Sequence, residues 1–163
     1  MEVLKHTPGS LFAEFVPREL GDRLEIAEAS TDDLPTIARL NVEIFDEERI
    51  INSFDRDDLL MLIALYDERP IGFKIGYREN RFVFYSAKGG VLESYRNLGV
   101  AHAMLYAMMD QAQLMGYRRF AYDTFPNMHP GMTIMGLREG FRIVRADFNQ
   151  AYHDFRLRFE RKF

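Results

Sequence analysis

The chain has 163 residues, 47% of them hydrophobic, which is the length of one domain with material for a sizeable core. Its 25 acidic residues outnumber 21 basic ones, and a net charge of -4 argues against a phosphate-backbone binder, so nucleic acid is not an expected partner. With no cysteine, disulfide frameworks, thiol nucleophiles and thiolate zinc sites are excluded.

Residues 1–23 are interrupted by Pro8, Gly9, Pro17 and Gly21 and read as an extension holding at most one short element, ahead of a domain over 24–163. "MEVLKHTPGSLFAEF" has no apolar run behind basic residues, and the longest apolar run, Leu59 to Tyr66, is too short to cross a bilayer. A soluble cytoplasmic protein without a membrane partner is the expectation. "LEIAEAS" (Leu24 to Ser30) reads as a strand. Ser30 or Thr31, followed by Asp32 and Asp33, starts a helix whose apolar positions Leu34, Ile37, Leu40 and Ile44 share one face. "LLMLIALY" fits a helix or a buried strand, and the turn "DERP" behind it favours the strand.

"PIGFKIGY" alternates Ile71, Phe73, Ile75 and Tyr77 against Gly72, Lys74 and Gly76, so one face is expected to pack while the other stays partly bare. "RFVFYSA" is apolar on both faces and runs into "KGG", where a bulge or a close backbone approach is expected. A helix from about Asn97 to Met115 follows, stopped by Gly116. Then come a buried strand "YRRFAYDTF", a helix from Pro130 closed by Gly140, and the strands "FRIVRA" and "DFRLRFERKF". The last of these sets Phe155, Leu157 and Phe159 against arginines. This order predicts an α/β fold with a mixed sheet of six to seven mainly antiparallel strands, one parallel βαβ unit and helices on both faces.

The start of the helix near Asn97 is anomalous. Helix N-termini attract acids, yet "ESYRNLGVAHAM" has Arg96 there and no acid from Leu98 to Met109. Unpaired N–H groups beside a glycine suit a phosphate, although the pattern is neither G-x-G-x-x-G nor G-x-x-x-x-G-K-[ST]. "GGVLESYRNLGVAHAML" resembles the pyrophosphate loop of the GNAT superfamily of acyl-CoA-dependent N-acyltransferases, [QR]-x-x-G-x-[GA] behind a β-strand. Arg96, Gly99 and Ala101 fill its fixed positions, and Val91 and Tyr95 match frequent companions. The element order from Leu24 to Phe163 agrees, as does "REGF", like the family's K-x-G-F.

The resemblance implies an N-acetyltransferase that uses acetyl-CoA as co-substrate and a small-molecule or peptide amine as acceptor, by direct attack in a ternary complex. It places the pyrophosphate on Arg96, Asn97, Leu98, Gly99, Val100 and Ala101, with Asn127 near the cofactor. It sets the thioester against Val91 and Leu92, where two strands splay. It also opens the option of a homodimer through the C-terminal strand or residues 1–23. Either Glu93, behind the thioester strand, or Asp123, on the neighbouring strand among apolar residues, is a candidate base. The tyrosine that many members carry five residues before the G-F pair is replaced by Gly136, and His129 stands where an asparagine is usual. Tyr122, Tyr85 and His129 are the candidate stand-ins for the acid. A non-catalytic acyl-CoA-binding module is the alternative, and a structural domain without a CoA site is a third reading.

Other groupings point to packing or solvation. His6, His102, His129 and His153 are scattered, so no metal is expected. Seven of the nine methionines lie between Met104 and Met135, as adaptable core filler. The acidic stretch from Asp46 to Asp58 reads as a solvated loop, with attraction of a cationic amine as its functional alternative.

Overall fold

The computed structural model describes residues 1–5, 8–15 and 19–163; the sequence features His6 and Pro17 lie outside the described residues. The first 23 residues hold more than one short element. Strand β1 (Glu2–Val3) pairs with β2 (Leu24–Ala29), helix α1 (Leu11–Glu14) packs on a later helix, and a 3-10 turn covers Gly21–Arg23. The four-residue α1 is too short to stand alone and is held from outside. Ser10 Oγ accepts the Ala13 N–H at 3.1 Å, while the Asp110 carboxylate accepts the N–H groups of Leu11 at 3.2 Å and Phe12 at 2.9 Å.

From Leu24 the elements follow the sequence pattern. Ser30 and Asp33 form a reciprocal capping box over the 3-10 turn Thr31–Asp33, which leads into α2 (Leu34–Phe45). Three antiparallel strands come next: β3 (Leu60–Tyr66), β4 (Arg69–Arg78) and β5 (Val83–Val91). Helix α3 (Val100–Leu114) precedes β6 (Arg119–Thr124); α4 (Pro130–Arg138), β7 (Arg142–Asn149) and β8 (Asp154–Lys162) complete the chain. The ambiguous run ending at Tyr66 is thus a strand, buried through Leu65. The sheet has eight strands in the order β1-β2-β3-β4-β5-β6-β8-β7, against the six to seven expected, because β1 adds a strand from the supposed extension. Among the described residues, β5 and β6 form its one parallel pair.

Helix α3, with α1 beside it, covers one face of the sheet, where Met104, Leu105 and Met108 meet Ile26, Leu62, Phe84 and Phe120. α2 covers the other, where Ile37 and Leu40 meet Ala27, Ile63, Phe73 and Ile75. The expectation of a partly bare face on β4 is corrected here, since Gly72, Lys74 and Gly76 are all buried. A Cβ at Gly72 would lie 3.3 Å from Met104 Cε, and one at Gly76 would lie 2.9 Å from Met108 Sδ. The glycines therefore let α3 settle directly on the backbone, which covers the face that lacks side chains. β8 also departs from simple alternation: Phe155 at its start is 56% exposed and Arg158 is buried.

Gly76→Ala would place its methyl 2.6 Å from Phe84 Cε1 and 2.9 Å from the Tyr85 carbonyl oxygen. It is expected to lower stability by about 1–3 kcal/mol, the range for overpacking a filled core. Urea denaturation would show a lower midpoint at unchanged slope; an unchanged midpoint would contradict this packing.

Candidate active site

The site begins where the parallel pair fails. β5 and β6 are bridged from Val83–Arg119 to Ser86–Tyr122 and then part, β5 staying with β4 as far as Val91 and β6 with β8 as far as Thr124. The register of β4 on β5 steps from Gly76–Ser86 to Ile75–Lys88, which leaves Ala87 as the extra residue of a bulge. Bulges bend a strand and sharpen its twist, and this one falls directly after the last β5–β6 bridge.

Register decides which backbone groups face the opening. The Leu92 N–H donates to the Ile71 carbonyl at 2.8 Å. An antiparallel ladder alternates direction at each residue, so Val91 turns its N–H and C=O away from β4 and into the gap. Of the two groups expected to polarise an acyl carbonyl, Leu92 is tied into the sheet and Val91 is presented. The Val91 carbonyl accepts Arg96 Nε at 3.1 Å, which folds the arginine side chain back over the strand end.

Above the gap, the chain makes a 3-10 turn at Glu93–Tyr95 and then enters α3 through two left-handed residues, Asn97 (φ 62°) and Gly99 (φ 87°). These residues delay the helix to Val100, later than the expected Asn97. Gly99 is the N-cap and supplies no side-chain bond, and no acid sits in the first turn. The first helical bond runs from the Ala103 N–H to the Gly99 carbonyl at 2.9 Å, so the N–H groups of Val100, Ala101 and His102 have no acceptor within the helix. Arg96 and Asn97 are exposed, whereas Leu98 packs against the core and holds the loop down. This set of donors, with a cation beside it, fits a phosphate group. The Arg96 N–H is not among the donors, because it bonds the Glu93 carbonyl at 3.2 Å.

The candidate proton-transfer residues separate by environment. Glu93 is exposed on its 3-10 turn. Asp123 lies one residue beyond the last β5–β6 bridge, with its side chain 13% exposed. Its Oδ2 accepts the Tyr85 hydroxyl at 2.9 Å, and its Oδ1 is buried without a hydrogen bond, 3.8 Å from Arg158 Nε. Burial first, and the Asp123 carboxylate second, push the Tyr85 hydroxyl well above its ordinary pKa, so it stays protonated as a donor. Arg158 also pairs with Glu79. Tyr122 points to the opposite face, stacks on Phe159 at 5.2 Å and donates to the Met132 carbonyl at 2.9 Å. Asn127 is exposed and donates to Asp154 Oδ1 at 2.8 Å, which ties its loop to β8, and His129 is exposed at the start of α4.

Gly136 is buried, and a Cβ built on it would overlap the Tyr122 hydroxyl. The tyrosine on β6 therefore occupies space that a side chain on α4 would need. Sequence reasoning also passed over Lys74, which is 6% exposed on the α3 face of β4. Its signal was present in "GFKIG", a lysine between two glycines at strand period. A surface depression of about 400 Å³, lined by Asp55, Arg56, Asp57, Arg78 and Glu79, lies at the β4–β5 hairpin, the opposite end of β5 from Val91. The acidic loop is pinned elsewhere too: Asp58 accepts the Tyr117 hydroxyl, and Glu47 pairs with Lys88 at 2.8 Å. Among the described residues, no cluster of three or more His, Asp or Glu side chains is placed to hold a metal ion, and no helix is long and apolar enough to cross a membrane.

A parted parallel pair beneath an uncapped helix start sets backbone donors suited to a phosphate beside an opening between two strands. The chain belongs to the acetyltransferase (GNAT) family, whose profile matches residues 24–132. A search of curated proteins finds no match. Similar solved structures include a GNAT family acetyltransferase from Elizabethkingia anophelis with acetyl-CoA bound, with a TM-score of 0.74 and 16% identity over 87% of this chain and 99% of that one. Another is the IAA acetyltransferase from Bacillus cereus ATCC 14579, with a TM-score of 0.75 and 17% identity over 86% of this chain and 99% of that one. A third is Arabidopsis thaliana Naa50 in complex with the bisubstrate analogue CoA-Ac-MVNAL, with a TM-score of 0.72 and 16% identity over 86% of this chain and 99% of that one.

The overlap at Gly136 predicts coupling between two positions. Gly136→Ala alone is expected to destabilise the protein by about 1–3 kcal/mol, and Tyr122→Phe, which removes the obstructing oxygen, to recover most of that loss in the double variant. Strictly additive effects in a denaturation cycle would contradict it.

Proposed function

We propose that this chain is an N-acetyltransferase that moves the acetyl group of acetyl-CoA to a primary amine by direct attack within a ternary complex. One observation carries the reading: the Val91 N–H faces the strand gap beneath the uncapped start of α3. A donor for a carbonyl oxygen and donors for phosphates therefore lie along one path. Family membership supports the chemistry. The similar structures described with acetyl-CoA and with a peptide bisubstrate analogue support the donor and an amine or peptide acceptor.

Bound acetyl-CoA supplies an acyl group on a thioester and a thiolate that can depart. Backbone N–H groups of the Asn97–Ala101 segment, with the Arg96 guanidinium at the mouth, hold the pyrophosphate. The Val91 N–H stabilises charge on the acyl oxygen, and Leu92 keeps that strand end fastened to β4. Asp123 takes the proton of the attacking amine through its buried Oδ1, while Tyr85 fixes Oδ2 and so the carboxylate's orientation. The amine enters from the α2 face, to which Asp123 projects. The exposed Glu93 stays with the loop.

Two variants test this. Asp123→Asn keeps a polar group for the Tyr85 hydroxyl but accepts no proton, and thiol release from acetyl-CoA with a panel of amines should fall by about 10²–10⁴-fold in kcat. Gly99→Glu puts a negative charge into the cradle, and calorimetric affinity for acetyl-CoA should fall at least about tenfold. Unchanged affinity would remove the anion from the α3 start.

The alternative of a non-catalytic acyl-CoA-binding module is favoured by one feature, the glycine at position 136. Tight acetyl-CoA binding with no thiol release at saturating amine would establish it in place of catalysis.

A further inference from the structure

Among the described residues, Lys74 is an ionisable side chain buried on the α3 face of the sheet without an assigned task. Lys74 sits between Gly72 and Gly76 on β4, opposite Gly89 on β5. A Cβ at Gly89 would lie 3.2 Å from Lys74 Cγ, so the lysine stem rests on that glycine and leans across β5. Adjacent strands are about 4.8 Å apart, and the rest of the side chain is long enough to bring the ammonium to the edge of β5 that borders the gap. Ser86, Ala87 and Gly89 on that stretch are small. Lys74 lies opposite Leu62 on β3 and Gly89 on β5, and its β4 neighbours Gly72 and Gly76 look onto Met104 and Met108 of α3, none of them charged.

We propose that Lys74 supplies the proton taken up by the departing CoA thiolate, the task for which Gly136 leaves α4 without a side chain; the inference rests on the acetyltransferase reading above. The two tyrosine hydroxyls of the strand pair are engaged. Tyr122 donates to the Met132 carbonyl and burial raises its pKa, while Tyr85 donates to Asp123. Stability alone favours an apolar residue at a buried position without a partner charge. Desolvation lowers the Lys74 pKa to about 8, close to the value of about 8.5 for a free thiol. A lysine so placed gives up its proton to sulfur far more readily than an exposed one.

The step balances. The amine nitrogen attacks the acyl carbon, a C–N bond forms and the C–S bond breaks with its electron pair on sulfur. The Lys74 ammonium passes a proton to that sulfur, giving the free thiol, and the surplus proton of the amine passes to Asp123. Exchange with water restores both groups. Asp123 and Lys74 lie on opposite faces of the sheet, so the two transfers do not compete for one site.

The test is the ultraviolet titration of the thiol of free CoA bound to the wild type, to Lys74→Met and to Lys74→Arg, with binding followed by calorimetry. In the wild type the bound thiol should ionise at least about one pH unit lower than in Lys74→Met, a tenfold shift in the proton equilibrium. Lys74→Arg should keep that shift but lose turnover, because its guanidinium holds its proton. Lys74→Met should bind acetyl-CoA within about twofold of the wild type and unfold at a higher urea concentration. Turnover by the wild type should decline above about pH 8, as the ammonium is lost. Identical thiol titrations in wild type and Lys74→Met, with CoA bound to both, would overturn the Lys74 role alone. Failure of the wild type to bind CoA would overturn the acetyltransferase reading together with it.

Discussion

Backbone N–H and C=O groups in a sheet must be paired, and the whole site depends on one place where that requirement is left open. β5 and β6 stop bridging after Ser86–Tyr122, yet both continue, each held by its other neighbour. Leaving a buried backbone group unpaired costs on the order of 1–3 kcal/mol, so such an opening persists only where the flanking strands over-determine it. Here β4 and β8 do so. The bulge at Ala87 directs β5 away, and the alternation beyond it assigns Leu92 to the sheet and Val91 to the opening. The same logic applies one turn later at α3, where Gly99 ends the loop without giving the helix a cap.

Around this opening the two sheet faces have different electrostatics. On the α2 side, Tyr85, Asp123, Arg158 and Glu79 form a hydrogen-bonded and ion-paired group. On the α3 side, methionines and glycines surround a single lysine. In the proposed mechanism the carboxylate among polar partners gains a proton and the ammonium among apolar ones loses one. The sheet itself, one residue thick, is the partition between them.

Much of this was legible in the residues. Capping signals at Ser30 and Asp33, the glycine stops at Gly116 and Gly140, and the order of elements from Leu24 are local features, and they came through. The start of α3 was legible for a physical reason too, since a basic, acid-free helix start is out of place without an anion. Other features were settled by pairing between distant segments. Whether Val91 or Leu92 faces the gap turns on a one-residue register. The face of β4 that looked bare is covered because glycines admit a close-packed helix, and Asp123 differs from Glu93 in its burial and in the Tyr85 and Arg158 side chains that folding brings to it. Gly136 looked like a loss; in three dimensions it is the clearance for Tyr122.

The helix α1 shows the same dependence on distant residues. Its first N–H groups are held by Asp110, about a hundred positions downstream, and a single turn of helix has little stability by itself. The turn at Leu11–Glu14 therefore depends on α3 for its stability, although it precedes α3 in the chain.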